Sequence, residues 1–480
     1  MHNHICRTKI ISTLGPSTDK KDILKKLIQS GSNILRLNFS HGTAEEHQKR
    51  VTLIRNITKK YGYSVAIIGD LQGPKIRISS FRNKKIFLNI GDTFLLDHTI
   101  EKFCGTEKKV GISYKNLVHE VFVNDIILLD DGKIQLKVLE INNNKIYTKV
   151  MVGGYLTDHK GLNKLGGGLS AKALTEKDKE DIKLASRLGV DYLAVSFPRS
   201  ANDVKEARIL MKEAGSHAQI IAKIERAEAV NSETVCKEII LAADSIMIAR
   251  GDLGVEIGDD NLIGIQKNLI KLARQLNRTV ITATQMMESM IENPFPTRAE
   301  VMDVANAVID GTDAVMLSAE TASGRFPVHT VKAMINICKG AEKIPCMSIS
   351  QHRLHVPLNN ISETLAMSVM YAANHLNNVS AVLIFANSIK LALLTSRITS
   401  KIPIFYFSYC DKKLNLSLLY KGVIPIYLKQ KKMESNNIKD AILKLKEKNY
   451  LQVNNTIAII KKDFQFSKDD TNTFKLIRVL

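Results

Sequence analysis

The chain has 480 residues, of which 45% are hydrophobic and 24% charged, a composition that excludes a disordered or a fibrous protein. At roughly 150 residues per domain, this length predicts about three domains rather than a single core. The formal net charge is +20, but the lysines are scattered and tryptophan is absent, so the charge by itself does not indicate a nucleic-acid-binding surface.

The cysteines and the apolar stretches exclude further classes of protein. No two of the six cysteines form a Cys-x-x-Cys pair, which excludes a disulfide framework and a zinc site of the usual spacing. The first nine residues lack the apolar core of a signal peptide. The longest uncharged stretch, Thr364–Ile389, is interrupted by asparagines and a histidine, so it predicts a helix, a turn and a strand rather than a membrane span. We therefore expect a cytoplasmic protein with reduced thiols that does not contact a membrane.

Eight short apolar runs alternate with amphipathic segments through the first 345 residues. Thr175 with Asp178, and Thr297 with Glu300, have the spacing of capping boxes at helix starts. Strands that alternate with helices in this way predict a (β/α)8 TIM barrel in an α/β protein. The predicted strands are Thr8–Thr13, Asn33–Asn38, Val65–Asp70, Asp191–Ser196, Gln219–Lys223, Ser245–Ala249, Thr279–Thr284 and Asp313–Ser318.

A long segment without helical periodicity follows the third predicted strand. It contains alternating runs and turn signals such as Asp131-Gly132, which predict a small β-barrel domain inserted into the TIM barrel. Gly166–Gly168 near its end indicates a hinge or a flexible loop. The strands predicted in this insert are Lys85–Leu88, Thr93–Leu96, Ile126–Leu129, Ile134–Leu139 and Lys145–Val150.

The alternation restarts after residue 345 and predicts a separate C-terminal α/β domain. Its predicted helices are Glu363–His375, Ile389–Thr399, Leu414–Lys421 and Asn437–Lys448, and its predicted strands are Val379–Phe385, Ile402–Phe407, Val423–Tyr427 and Thr456–Lys461. The expected barrel domain has two parts, residues 1–71 and 171–345. The inserted β domain is expected at residues 72–170 and the C-terminal α/β domain at residues 346–480.

Polar residues stand at the ends of seven predicted barrel strands. Active sites of TIM barrels lie at the carboxyl ends of the strands. A polar residue there can also simply cap the next helix, but so many together favour a catalytic rim. The residues are Asn38, Ser40, Asp70, Ser196, Lys223, Glu225, Arg250, Asp252, Thr284, Ser318 and Glu320.

The residue types at this rim indicate chemistry on a phosphorylated substrate. Glu225 and Asp252 follow adjacent strands and could share Mg²⁺, with open positions for a phosphate or an enolate. The alternative is two solvated helix caps. Lys223 ends an interior strand, where a cation suits the charge on a phosphoryl group in transfer. Arg36 lies in an otherwise apolar strand and could bind phosphate with its planar fork.

The remaining motifs are less specific. The glycine turn Arg250–Gly254 runs into a helix start, where backbone amides could bind a carboxylate or phosphate. His41 could be a ligand, a base or a hydrogen-bonded structural histidine. The chain has neither a P-loop nor a Rossmann glycine motif, which excludes ordinary enzymes of those two classes.

Segments of the barrel, taken together and in order, resemble the pyruvate kinase family. The resemblance covers the whole chain and implies a barrel, a β lid, a C-terminal effector domain and a cytoplasmic homotetramer. It implies a phosphotransferase that moves the phosphoryl group of phosphoenolpyruvate to ADP, giving pyruvate and ATP. The segments are Arg36–Gly42, Asp70–Arg77, Lys223–Glu225, Met247–Glu256, Thr282–Met286 and Met316–Thr321.

The resemblance also implies roles for single residues at the substrate. Arg36 would grip the phosphoryl group and Lys223 would stabilise it during transfer. Glu225 and Asp252 would hold Mg²⁺. The amides of Gly251 and Asp252, with the hydroxyl of Thr284, would fix the substrate carboxylate.

Other roles implied by the resemblance concern the monovalent cation, the nucleotide and the proton. Asn38, Ser40, Asp70 and the carbonyl of Leu71 would surround K⁺. Asn38, His41, Arg77 and Lys160 would face the nucleotide. Ser318 and Glu320 would relay a proton to the enolate carbon.

Two positions depart from the family pattern. Members that need K⁺ usually carry an acid where this chain has Lys75, and an ammonium group can stand in for a bound monovalent cation. We therefore predict that added K⁺ is dispensable. The turn at Ala386–Leu391 lacks two hydroxyls and has Ile389 in place of a glycine of the family's effector turn. Ser388 and Lys390 are left as candidate contacts, and the alternative is that they simply begin a solvated helix. We predict weak or absent activation by AMP or sugar phosphates.

Two other functions remain open at this point. One is a different barrel enzyme that uses phosphoenolpyruvate or pyruvate, such as an aldolase or a lyase, for which no nucleotide lid is needed. The other is a non-enzymatic protein that binds anions or nucleic acid through its positive charge, with steep salt dependence.

Overall fold

The computed structural model of the chain describes residues 5–347, 350, 357–358, 360–386, 388–428, 435–461 and 473–479, with only the backbone for 435–437. Within these residues, no helix combines the length and the apolar character that crossing a membrane requires.

Eight parallel strands close into a barrel in chain order, and the first strand pairs with the last through Lys9 and Ala314. The predicted TIM barrel is thereby confirmed. The strands are Lys9–Thr13, Ile34–Asn38, Ala66–Asp70, Tyr192–Val195, Gln219–Ile224, Ser245–Ala249, Thr279–Ala283 and Ala314–Leu317. They are almost entirely buried, as expected for parallel strands covered on both faces.

Helices surround the barrel and begin at the predicted caps. The hydroxyl of Thr175 accepts from the amide of Asp178, and that of Thr297 from the amide of Glu300. The α-helices are Lys21–Gln29, Ala44–Tyr61, Glu176–Leu188, Ala201–Glu213, Glu233–Ala242, Arg250–Ile257, Asp259–Gln275, Arg298–Asp310, Ala319–Ala322 and Pro327–Ala341. Short 3-10 helices are Pro16–Thr18, Ala227–Ala229, Glu288–Ile291 and Pro345–Met347.

The inserted domain follows the third barrel strand and has its own apolar core, in which Phe81 and Phe94 are fully buried. A six-stranded and a two-stranded sheet enclose this core. The strands are Lys85–Leu88, Thr93–Asp97, Lys109–Val110, Ile126–Leu129, Ile134–Asn142, Lys145–Val152, Gly154–Thr157 and Leu162–Lys164, and a short helix spans Leu117–Glu120.

The C-terminal domain has a five-stranded sheet with helices. In sheet order the strands are Val423–Tyr427, Ile404–Ser408, Val379–Phe385, Thr456–Lys461 and Thr473–Arg478. The last strand is antiparallel to its neighbour and was not predicted. The helices are Ile361–His375, Lys390–Ser396, Asp411–Ser417 and Ser435–Glu447. The second and third are shorter than predicted, and the third begins and ends earlier.

The C-terminal domain packs against the amino ends of the barrel strands. One apolar cluster contains interior barrel residues such as Ile34 and Tyr192 together with Ile404 and Tyr406 of the C-terminal sheet. The Tyr192 hydroxyl donates to the carbonyl oxygen of Leu416 at 2.5 Å. The amino end of the barrel is therefore closed by protein, which leaves the carboxyl end, beside the inserted domain, for a substrate.

Candidate active site

Four charged side chains form a buried ion network at the carboxyl ends of the second, third and fifth barrel strands. Arg36 Nε lies 2.6 Å from Asp70 Oδ2. Lys223 Nζ lies 3.3 Å from Asp70 Oδ1 and 2.9 Å from Glu225 Oε1. The strand ends thus bring together the residues expected to hold a phosphoryl group.

Lys223 is fully charged in this network. Burial opposes the ammonium charge, but the carboxylates of Asp70 and Glu225 outweigh it and hold the pKa of Lys223 above its ordinary value. Burial also opposes ionisation of Asp70, yet Lys223 and Arg36 together lower the pKa of that carboxyl. A fixed cation and a fork of donors therefore lie side by side in a water-poor site, where they act strongly on developing negative charge.

Ser196, expected at the rim but assigned no role from the sequence, is a member of this network. Its hydroxyl accepts from Lys223 Nζ at 2.7 Å and donates to the carbonyl oxygen of Leu71 at 2.7 Å. The position of Ser196 at a strand end was visible in the sequence, but its role as a positioning contact for Lys223 depends on the register of neighbouring strands.

Glu225 and Asp252 offer carboxylate oxygens that fit Mg²⁺. Glu225 is buried and its Oε2 accepts from the amide of Phe197 at 2.9 Å. Burial raises the pKa of Glu225, Lys223 opposes this shift, and the negative charge of Asp252 adds to it. Two carboxylates that repel each other are a suitable pair for a hard divalent cation. Within the described residues no group of three or more His, Cys, Asp or Glu side chains is arranged to hold a metal ion, so a cation at this pair would have positions left for substrate oxygens.

Lys75 lies beside the same pair of carboxylates. Its Nζ is 3.2 Å from Asp252 Oδ1, in the segment that leads from the third barrel strand into the inserted domain. The ammonium group is therefore placed against a proposed Mg²⁺ ligand rather than in direct contact with Asp70.

The residues expected around K⁺ present oxygen donors of the kind that a hard cation requires. Asn38 Oδ1 accepts from the amide of Ser40 at 3.1 Å, and the carbonyl of Leu71 is engaged by Ser196. Asp70 Oδ1 is buried without a hydrogen-bond donor other than the ion pair with Lys223. A carboxylate oxygen that lacks a hydrogen-bond donor is a suitable ligand for a monovalent cation between these residues.

Gly251 and Thr284 are neighbours at the sixth and seventh strand ends. The amide of Gly251 donates to Thr284 Oγ1 at 2.8 Å, and that hydroxyl donates to the carbonyl of Ala283 at 2.6 Å. Thr284 and Gln285 have φ of 66° and 52°, in the left-handed region that side chains rarely adopt. Such strain is typical of functional turns that the surrounding structure holds in place.

Arg250, another rim residue without an assigned role in the sequence analysis, holds this strained turn. Its guanidinium donates to the carbonyl oxygens of Thr284 and Gln285 at 2.9 and 2.8 Å, and it pairs with Asp303 at 2.7 Å. The sequence showed a charge at this strand end, but no spacing rule connects it to a turn 34 residues later.

Ser318 and Glu320 lie together after the eighth strand. Glu320 is buried, its Oε2 accepts from the amide of Ser318 at 2.6 Å, and its Oε1 from the amide of Met287 at 3.3 Å. Burial raises the pKa of Glu320. The carboxylate therefore ties two rim loops together.

The residues expected at the nucleotide come from two domains. In the inserted domain the amide of Ile78 donates to the carbonyl of Lys160 at 3.0 Å, so Arg77 and Lys160 lie on neighbouring segments. Lys160 Nζ pairs with Asp130 at 2.8 Å. His41 lies exposed in the loop after the second barrel strand. The histidine that is buried and bonded there is His47, whose Nε2 is 3.0 Å from the carbonyl oxygen of His41.

The glycines at the end of the inserted domain are bonded to the barrel. The amide of Gly166 donates to the carbonyl of Glu256 at 2.8 Å, and the amide of Gly168 donates to Glu228 Oε1 at 2.7 Å. Gly166, Gly167 and Gly168 all have positive φ. We refer to residues 166–168 as the glycine hinge.

The turn expected to bind an effector presents little for a phosphate. Ser388 and Lys390 are exposed, and the Ser388 hydroxyl accepts from the amide of Lys390 at 3.2 Å. Asn387 lies outside the described residues.

A closed barrel with buried cations beside paired carboxylates at the carboxyl rim, next to an inserted β domain, defines a barrel enzyme for small anionic substrates. The family model for the barrel domain of pyruvate kinase matches residues 5–331, and that for its alpha/beta domain matches residues 363–477. The chain belongs to the pyruvate kinase family.

Relatives with this name match along the full chain. The pyruvate kinase of Buchnera aphidicola subsp. Schizaphis graminum is 57% identical over 479 residues, which is 100% of both chains. Pyruvate kinase II of Salmonella typhimurium is 55% identical over 479 residues, again 100% of both. The pyruvate kinase of Haemophilus influenzae is 56% identical over 459 residues, 96% of each chain.

Proposed function

We propose that the chain is a glycolytic phosphotransferase that moves the phosphoryl group of phosphoenolpyruvate to ADP, giving pyruvate and ATP. The observation that carries this proposal is Lys223, held charged between Asp70 and Glu225 and next to Arg36 at the barrel rim. Family membership supports the same reaction.

Binding begins with the anionic groups of phosphoenolpyruvate. Arg36 grips the phosphoryl oxygens with its planar fork. The amides of Gly251 and Asp252 and the hydroxyl of Thr284 bind the carboxylate, once substrate replaces the bond between Gly251 and Thr284. Glu225 and Asp252 would hold Mg²⁺, which would supply positive charge against the anionic substrate.

Transfer then breaks the bond between phosphorus and the enol oxygen and forms a bond between phosphorus and a terminal oxygen of ADP. Lys223 stabilises the charge on the phosphoryl group as it moves. The enolate left behind takes a proton at carbon to give pyruvate, and we assign the relay of this proton to Ser318 and Glu320.

The nucleotide is assigned to Asn38 and His41 of the barrel and to Arg77 and Lys160 of the inserted domain. Because both domains contribute, binding of ADP favours an inserted domain closed over the rim, and closure excludes the water that would hydrolyse the phosphoryl group. We also propose that the chain divides into a barrel domain of residues 1–71 and 171–345, an inserted domain of residues 72–170 and a C-terminal domain of residues 346–480.

The family implies dependence on a divalent metal and on potassium. We propose Asn38, Ser40, Asp70 and Leu71 as the K⁺ ligands and Lys75 as a fixed cation that makes added K⁺ dispensable in this chain. We also propose that the protein acts in the cytoplasm as a homotetramer, with no membrane or nucleic-acid partner.

The purified chain with phosphoenolpyruvate, ADP and Mg²⁺ tests the proposal in an assay coupled to pyruvate consumption. We expect rapid turnover that stops when ADP or Mg²⁺ is omitted. Pyruvate release without ADP would indicate a lyase or another barrel enzyme instead. Salt-steep binding of DNA or RNA without turnover would indicate a binding protein.

A further inference from the structure

A cavity of about 120 Å³ lies between the barrel and the C-terminal domain, at the end of the barrel opposite to the rim. We call it the seam cavity. Its polar lining includes Arg7, Arg274 and Asp310 from the barrel and Ser396, Thr399 and Lys421 from the C-terminal domain. Two domains thus contribute side chains to one enclosed polar space.

Two of the charged groups in this lining are already neutralised by partners. Arg7 Nε lies 3.4 Å from Glu342 Oε2. Asp310 pairs with Lys267. Arg7 therefore adds no uncompensated charge to the seam cavity, whereas Asp310 is paired through Oδ1 alone and its Oδ2 is buried without a hydrogen-bond partner.

Arg274 and Lys421 are not neutralised in this way. Lys421 Nζ donates to the carbonyls of Val308 and Thr312 at 3.2 and 3.0 Å. Arg274 donates to the carbonyls of Gly311 and Arg397 at 3.1 and 2.6 Å. Among the carboxylates that the structure describes, none forms an ion pair with either side chain, and the nearby Asp313 is taken by Arg397. The lining therefore carries an excess of about two positive charges.

The surroundings of Lys421 and Arg274 destabilise the charged form of both side chains. Burial lowers the pKa of Lys421 to about 8. Burial, followed by repulsion from Arg397, lowers the pKa of Arg274 to about 10. The carboxylates of Glu342 and Asp313 offset this cost for Lys421, and Asp313 for Arg274, only in part, so an anion between the two cations would be bound favourably.

We propose that the seam cavity binds a tetrahedral oxyanion, as inorganic phosphate or as the phosphate group of a small ester, through Arg274, Lys421 and Thr399. Thr399 Oγ1 already lies 3.3 Å from Arg274 Nη2, so its hydroxyl is positioned for the same ligand. On the same measure one water molecule needs about 10–15 Å³, so a cavity of about 120 Å³ has room for one such ion. Because both domains supply contacts, the bound anion fastens the C-terminal domain to the barrel. This site is separate from the turn at Ala386–Leu391.

Calorimetric titration with inorganic phosphate at constant ionic strength tests the proposal. The parent protein for this experiment is the Lys223→Met variant, because the rim itself binds phosphoryl groups and the substitution weakens that competing site. We expect saturable binding that Arg274→Gln weakens by about 10-fold or more, since a charge-assisted contact contributes about 1.5–3 kcal/mol, or one to two decades of affinity. Arg278→Gln is the matched control, because Arg278 is a half-buried arginine near the same helix end that donates to Ala243 and does not line the cavity. It should change affinity less than twofold.

Thr399→Val provides a milder second variant and should weaken binding several-fold without removing a charge. Circular dichroism without phosphate establishes that each variant is folded. Titration with glycerol 3-phosphate distinguishes an ester from the free ion as the ligand, and saturable binding of either supports the site. Equal affinity in the Arg274→Gln and Arg278→Gln proteins, or no saturable binding of either compound, would overturn the proposal.

Discussion

Lys223 is the residue whose charge the proposed transfer depends on most. Replacement of Lys223 by Met should reduce turnover of phosphoenolpyruvate and ADP by about 10²–10⁴, because the ammonium group stabilises charge that develops during transfer. Glu225 and Asp252 remain, so Mg²⁺-dependent exchange of the methyl protons of pyruvate should survive in part. Steady-state kinetics and proton exchange by NMR measure the two activities.

Lys237→Met is a suitable control for this substitution. Lys237 is half-exposed on the helix Glu233–Ala242, where it pairs with Glu233, and its replacement should leave both activities unchanged. If Lys223→Met abolished both activities equally, the lysine would have a structural or general-base role instead.

The prediction that added K⁺ is dispensable depends on Lys75. Its ammonium group lies 3.2 Å from Asp252, one of the two proposed Mg²⁺ ligands. The turnover number of the wild-type protein should therefore change little when K⁺ is replaced by tetramethylammonium in a buffer free of Na⁺ and K⁺. The Lys75→Glu variant should become dependent on K⁺. Strong stimulation of the wild-type protein by K⁺ would show that the ammonium does not substitute for the ion.

The rim residues could be predicted from the sequence because each follows an apolar run that can only be an interior strand. The groups to which these residues form hydrogen bonds and ion pairs could not be predicted. Lys75 bonds to Asp252 across 177 positions, and Arg250 reaches the turn at Thr284 and Gln285, contacts that only the closed barrel creates. The orientation of Glu320 toward two backbone amides is likewise set by the packing of rim loops.

At the scale of elements, the glycine hinge connects the inserted domain to the barrel. A Cβ at Gly167 would lie 2.9 Å from Glu228 Oε2 and 3.1 Å from Ala227 Cβ, whereas a Cβ at Gly166 meets nothing within 4 Å. Both glycines have positive φ, so alanine costs about 1 kcal/mol at either position. We expect Gly167→Ala to lower kcat/KM several-fold more than Gly166→Ala, because only the former displaces the hinge from the barrel.

Steady-state kinetics with both substrates, together with the Tm of each variant, test this comparison. Gly132→Ala, in an open turn of the inserted domain with positive φ, controls for backbone strain alone. Indistinguishable kinetics of the three variants would show that the hinge contacts do not govern access to the rim.

Glu256 links the helix Arg250–Ile257 to the base of the inserted domain and should make stability depend on pH. Its Oε2 accepts from the amide of Ala227 at 2.8 Å, and burial raises its pKa from 4.5 to about 7. Between these two values the folded protein holds a proton that the unfolded chain has lost, so the free energy of unfolding falls as pH rises from about 4.5 to 7 and then levels off. The loss amounts to at most about 3.5 kcal/mol at ~1.4 kcal/mol per pH unit.

Glu256→Gln removes the titrating group, so its Tm relative to the wild-type protein should rise as the pH is increased from 5 to 8. Glu233→Gln is the control, because Glu233 is exposed and Lys237 lowers its pKa. Its Tm difference from the wild-type protein should be flat over that range. A flat difference for Glu256→Gln as well would contradict the assigned titration.

Periodicity predicted all eight barrel strands to within about two residues, since buried parallel strands are continuous apolar runs between helices. It failed at Thr473–Arg478, because this half-exposed antiparallel edge strand breaks the rhythm of strand and helix. The helix predicted at Leu414–Lys421 lies at Asp411–Ser417, because apolar spacing marks the buried face of a helix and not its ends.

At the scale of the whole molecule, regulation should differ from that of relatives with a phosphate-binding turn. Ser388 and Lys390 are the remaining plausible contacts at Ala386–Leu391, and the loss of two hydroxyl contacts of about 1.5–3 kcal/mol each weakens a phosphate ligand by roughly two to four orders of magnitude. Ribose 5-phosphate, AMP and fructose 1,6-bisphosphate should therefore activate weakly or not at all at subsaturating phosphoenolpyruvate. Robust activation by any of them below millimolar concentration would show that the turn still binds its effector.

The arrangement of the domains explains why transfer should exclude hydrolysis. The C-terminal domain closes the amino end of the barrel, and the inserted domain lies beside the carboxyl rim, where, in the proposed assignment, Arg77 and Lys160 would join the barrel residues around the nucleotide. A phosphoryl group that leaves phosphoenolpyruvate in a closed site therefore meets ADP and not water.

The amounts of ATP and pyruvate formed in one sample test the central claim most directly. With phosphoenolpyruvate, limiting ADP and Mg²⁺, we expect ATP and pyruvate in a ratio of about one, and pyruvate formation that ends when ADP is exhausted. Pyruvate that continues to form after ADP is consumed, or that appears without ATP, would contradict the assignment of this rim to phosphoryl transfer.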